Sequence, residues 1–138
     1  MLISVRLYVQ GDRLLPNEVT QLLGVQPVRS HARGDIRTLP DGRTSTEKIG
    51  VWVWKTGIEA DDASLGDCLE TLHKTFDHSR GSLTSLPNAE STWIDVHVVV
   101  DRGPEDARNT EVVLSLTPED VGALYAMGLP VEVTVGFA

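Results

Sequence analysis

Residues 3–35, ISVRLYVQGDRLLPNEVTQLLGVQPVRSHARGD, read as a strand, a short helix, a second strand and a basic loop. Ile3, Val5, Leu7 and Val9 alternate with Ser4, Arg6 and Tyr8, the period-2 pattern of a strand over 2–9 with one apolar face. Gly11-Asp12 turns the chain. Pro16 suits the first helical position, where its missing N–H would be unpaired anyway. Val19, Leu22 and Leu23 supply the inward stripe of about two turns, and Gly24 fits a left-handed C-terminal cap. Residues 25–31 form the second strand, which Pro27 assigns to a sheet edge or a strand start because it cannot donate to a ladder.

The pattern returns, compressed, near the C-terminus. Pro118-Glu119-Asp120-Val121, Leu124 and Gly128-Leu129 follow an alternating stretch at 111–116 and lead into another at 131–137. Thr117 caps this helix, with Asp120 completing a capping box. Between the two copies lies a strand at 50–56, read with Val51 and Val53 on one face and Trp52 and Trp54 on the other. A helix opens at Ser64 with Asp67 as its box partner, carries Leu65, Leu69, Leu72 and Phe76 as its stripe, and ends at Gly81. A strand at 93–100 follows, with Ile94, Val96, Val98 and Val100 inward. Residues 32–48 make a turn-rich connector around Pro40-Asp41-Gly42.

The order βαβ-βαβ-βαβ predicts a single α+β domain over residues 1–138. Its sheet has six strands, mostly antiparallel, with three helices on one face, and is related to ferredoxin-like topology. Clean alternation argues against a doubly wound parallel sheet, whose strands are buried on both faces and read as continuous apolar runs.

Composition narrows the function classes. The net charge of −8 is uneven: residues 1–58 carry eight Lys/Arg against five Asp/Glu, and residues 59–138 carry four against fifteen. An acidic chain is poorly suited to phosphate-backbone binding, so nucleic acid is disfavoured and a basic protein partner favoured. A single cysteine allows no internal disulfide and fits a reducing, cytoplasmic setting. Residues 1–9 are apolar but interrupted by Arg6, which reads as a first strand rather than a signal peptide. No apolar run approaches the roughly 20 residues that span a bilayer.

Pro16-x-Glu18-Val19 through Leu22-x-Gly24-Val25-x-Pro27, Gly34-Asp35, Trp52-x-Trp54, Leu114-Ser115, Leu124 and Gly128-Leu129 together resemble domain-of-unknown-function family 4279. The resemblance spans nearly the whole chain and rests on turn and core positions, so it speaks to the fold.

Three groups of residues invite a chemical reading. If the even-numbered residues of the first strand face away from the helices, Arg6, Tyr8, Trp52, Trp54, Trp93, Asp95, His97, Glu132 and Thr134 share an open sheet face. Aromatics on such a face mark an interface, with a ligand, a protein or a second copy of the chain. Asp95 and His97, two apart on one strand, point the same way, as an acid–base pair would need, with no nucleophile assigned beside them. Arg29, His31, Arg33, Arg37 and Arg43, with Gly34 and Gly42, give the connector the character of an anion loop. Against these, His73 and Asp77 pair along a helix surface. Four scattered histidines and one cysteine make no metal constellation. Cys68 flanks an apolar stripe as a small hydrophobe.

The expected function is therefore non-catalytic binding, without cofactor or metal, and one form is an acidic inhibitor or immunity-type protein with a basic partner. The alternative is a small-ligand protein with a Trp-lined pocket. The third reading is an enzyme using His97 and Asp95. The expected partner is another protein or a second copy, in a homodimer, with no membrane involved.

Overall fold

The first strand lies at the middle of the sheet. In a computed structural model, which describes residues 2–56, 64–100 and 111–137, β1 (Leu2–Gly11) pairs antiparallel with β5 (Gly50–Lys55) on one side and β6 (Ser91–Val100) on the other. The main sheet runs β2-β5-β1-β6-β7, with β2 (Arg29–His31) at one edge and β7 (Val131–Phe137) at the other. A separate hairpin joins β3 (Ile36–Thr38) to β4 (Thr44–Thr46) within the connector, turning at Pro40-Asp41-Gly42.

Strand direction reveals how the units interlock. β1 and β2 run parallel with β5 between them, and β5 and β6 run parallel with β1 between them. Each crossover helix, α1 (Pro16–Leu23) and α2 (Leu65–Phe76), thus spans a strand belonging to the other unit. β6 and β7 are direct parallel neighbours joined through α4 (Pro118–Met127).

The expected α+β class holds, and the finer layout departs from it. The main sheet is mixed and has five strands. Residues 111–116 form no strand, although they alternate. β6 already has both edges occupied, by β1 and β7, so this stretch finds no ladder there. Instead Val112 and Leu114 pack against the core, and β6 itself serves as the first strand of the last unit. Gly81 does not end the second helix. α2 tightens into a 3₁₀ turn (Asp77–Ser79) and continues as a fourth helix, α3 (Arg80–Leu83), with Gly81 inside it.

Local chemistry sets the other boundaries as read. Gly24 and Gly128 adopt left-handed φ values of 70° and 68° at the ends of α1 and α4. Ser64 Oγ accepts from the Asp67 N–H, and Thr117 and Asp120 form a reciprocal capping box. In α1 only Val19 and Leu23 point inward; Leu22 is exposed.

One core lies between the sheet and the helices. Val5, Leu7 and Val9 from β1, and Ile94, Val96 and Val98 from β6, meet Leu69, Leu72 and Phe76 of α2 and Leu124 and Met127 of α4. Cys68 is buried there, its Sγ 3.7 Å from the Ile3 carbonyl, and burial raises its thiol pKa. Among the described residues no helix is long and apolar enough to cross a membrane.

Candidate functional site

The face of the sheet away from the helices is where the sequence placed its site, and the strand register decides which residues reach it. Arg6 lies between Lys55 and Asp95, Tyr8 between Val53 and Trp93, and Ser4 opposite His97. β7 adds Glu132 and Thr134, and β2 adds Arg29 and His31. Arg6, Tyr8, Trp93, Asp95 and His97 are thus brought together as expected.

Trp52 and Trp54 are not. They pair with Val9 and Leu7, which puts both indoles on the helix side. Trp52 is fully buried and donates its Nε1–H to Thr20 Oγ1 on α1 at 3.0 Å. Trp54 meets Phe76 of α2 edge to face, ring centroids 5.0 Å apart. The strand is apolar on both faces, so no polar residue fixes its parity. The larger indoles take the side where helices can cover them, and Val51 and Val53 take the other.

The residues that remain form a connected surface. Tyr8 and Trp93 stack at 5.0 Å with their planes 5° apart. Arg6 Nη1 donates to the Tyr8 hydroxyl at 3.2 Å, while Arg6 Nε is enclosed with no hydrogen-bond partner among the described residues. Asp95, buried although charged, accepts from Thr134 Oγ1 at 2.7 Å. Burial lowers the His97 pKa from its ordinary value; the charges of Arg6 and Lys55 act in the same direction and Asp95 opposes them. The imidazole is held toward its neutral form.

Asp95 and His97 share this face as separate groups. Ser4 stands opposite His97, a neighbour that the sequence reading did not identify, yet no hydrogen bond joins Ser4, His97 and Asp95 among the described residues. Asp95 is engaged by Thr134 instead of orienting the imidazole.

The basic connector resolves differently. His31 Nε2 lies 3.3 Å from Glu47, Arg37 Nε 3.9 Å from the same carboxylate, and Arg33 3.9 Å from Asp12. Arg43 is held by Asp41, whose carboxyl pKa is lowered by the hydrogen bonds it accepts from Arg43. The Asp35 carboxylate takes the Ala32 N–H at 2.8 Å, a donor that an anion would have needed. Arg29 alone of the five stands apart from these pairs, on the sheet face. The loop satisfies itself.

His73 and Asp77 approach to 4.0 Å along the α2 surface, as their spacing suggested. No group of three or more His, Cys, Asp or Glu residues able to hold a metal ion occurs among the described residues. Acids gather in the helix layer: Glu70 of α2 and the exposed Glu119 and half-buried Asp120 of α4 line a cleft of about 500 Å³ together with Lys74, whose Nζ lies 2.7 Å from Glu70. Sequence reading recorded these acids as a charge bias without locating them, because only the packing of α2 on α4 brings them together.

Comparison with curated proteins and with solved structures gives no match. The pattern of the family described as domain of unknown function (DUF4279) matches residues 1–137, and the chain belongs to that family.

Proposed function

We propose that the chain is a non-catalytic binding domain that engages a partner through the helix-free sheet face around Arg6, Tyr8 and Trp93. The observation that carries this is the Arg6 guanidinium on that face, whose Nε has no acceptor among the described residues and would turn outward to meet one. A buried donor left unpaired costs about 1–3 kcal/mol, and a guanidinium is best satisfied by a planar carboxylate. Lys55 lies opposite Arg6 on β5, and Arg29 lies one strand further out, level with Tyr8. A partner presenting carboxylates to this face would complete the donor set, and the Tyr8–Trp93 stack offers apolar area beside it.

A second reading, the acidic inhibitor or immunity-type protein, draws its support from the other layer. There Glu70 and Glu119 are exposed around the α2–α4 cleft, where a basic partner would compete with Lys74 for Glu70. Less supports a Trp-lined ligand pocket, since Trp52 and Trp54 pack in the core. The Asp95–His97 enzyme has the least support, with no nucleophile bonded to the imidazole among the described residues.

The two binding readings separate in one experiment. The chain is titrated with poly-glutamate and with poly-lysine at fixed salt, following Trp93 emission and heat of binding. The sheet-face reading expects poly-glutamate to shift Trp93 emission and Arg6→Gln to abolish the effect. No response, or equal binding by Arg6→Gln, sinks it. Poly-lysine binding that Glu70→Gln and Glu119→Gln weaken together, with Trp93 silent, moves the site to the helix layer.

A further inference from the structure

Among the described residues β7 ends the sheet, and its outer side is unlike a protected edge. Pro130 accepts from the Ile94 N–H at 2.9 Å, which fixes the strand's polarity toward β6. With Ile94 opposite Val131, the even-numbered residues of β7 turn their backbone groups toward β6. Val131, Val133 and Val135 therefore turn theirs outward. The side chains of the same residues lie on the helix side, yet they are 41%, 54% and 40% exposed. The reason is that α4, after crossing over, packs its Leu124 and Met127 against α2. β7 contains no Lys, Arg or Pro, the residues that commonly blunt an edge.

We infer that β7 is the docking edge for a second copy of this chain, joined antiparallel about a two-fold axis at Thr134 to make a continuous ten-stranded sheet. The occupant follows from the strand's own sequence. Pairing about Thr134 sets Val133 against Val135 of the second copy, and both turn backbone donors and acceptors outward, so they form hydrogen-bonded pairs. Val131 meets the Phe137 side chain in the same apolar row. The one charged residue, Glu132, faces Gly136, and the two Glu132 carboxylates sit about four residues apart along the strand, roughly 13 Å. That exceeds the screening length of roughly 8 Å at physiological salt. A strand that carries one charge and pairs apolar with apolar in this register complements itself. Because each copy has a net charge of −8, the association strengthens as salt rises.

The test is sedimentation of the full chain over a dilution series at low and high salt, beside Val133→Lys and Val135→Pro. Val133→Lys puts a charge on a half-exposed side chain, and Val135→Pro removes an N–H that points away from β6, so both leave the fold intact. The expected result is a dimer that dissociates on dilution, is favoured by salt, and becomes monomeric in both variants. Thr134→Cys in a Cys68→Ala background should oxidise to a disulfide-linked dimer, because non-hydrogen-bonded partners lie about 4.5 Å apart at Cα. A wild-type chain that stays monomeric at every concentration overturns the inference. So does a dimer indifferent to both substitutions, or a Thr134→Cys chain that does not cross-link.

Discussion

The indole of Trp52 donates to the Thr20 hydroxyl at 3.0 Å, tying β5 to α1 through the core. Thr20→Val keeps the shape and leaves the indole N–H unpaired, at a cost of about 1–3 kcal/mol. Urea unfolding checks this, and an unchanged midpoint would show that the bond contributes nothing net.

Gly11 and Gly50 face each other across the β1–β5 pair, where the backbone leaves no room for side chains. A Cβ at Gly11 would collide with the Asn88 carbonyl oxygen, and one at Gly50 would lie 2.7 Å from the Gly11 carbonyl. Either alanine should destabilise by about 1–3 kcal/mol or more. Gly81→Ala is the control: nothing lies within 4 Å of a Cβ there, so stability should hold or rise. Thermal melts of the three variants would rank them.

Trp93 is the partly buried tryptophan, against two in the core. Acrylamide should therefore quench one component of the emission readily, and Trp93→Phe should remove that component while leaving a blue-shifted remainder. Trp93→Ala additionally loses the stack on Tyr8, worth about 0.5–1.5 kcal/mol beyond the buried area. A single quenching component in the wild type would contradict the assignment of Trp52 and Trp54 to the core.

His97 carries a pH dependence whose sign can be worked out. Its pKa is lowered in the folded protein by burial first and by Arg6 next. The unfolded chain then binds a proton more readily than the folded one. The stability is fully present above the unfolded value of roughly 6.5 and is lost as pH falls toward the folded value. The urea midpoint should drop as the pH falls below about 6.5, and His97→Gln should drop less. Identical slopes would place the titration elsewhere.

How far the sequence can be read depends on whether each residue's surroundings are local. β1 was legible because Arg6 interrupts an apolar alternation and fixes its parity. The caps at Gly24, Ser64 and Thr117 were legible because their chemistry spans three or four residues. β5 was not, since valine on one face and tryptophan on the other leave the choice to whatever packs above. Residues 111–116 have the alternation of a strand and lack a free edge, which is a property of the assembled sheet. The basic connector looked open to an anion because its carboxylates, Asp12, Asp41 and Glu47, are paired with it only after folding.

The interleaved crossovers carry a consequence for synthesis. β1 receives its first neighbour when Gly50–Lys55 emerges and its second only with Ser91–Val100. At roughly 5–20 residues per second, the central strand of the sheet waits several seconds on the ribosome with one edge bare. During that interval the nascent chain depends on α2 or on a chaperone to keep Ile3, Val5 and Leu7 from pairing with a neighbour's strand. A chain cut short before Ser91 should therefore aggregate rather than remain as a smaller domain, because neither unit can be completed without a strand from the other.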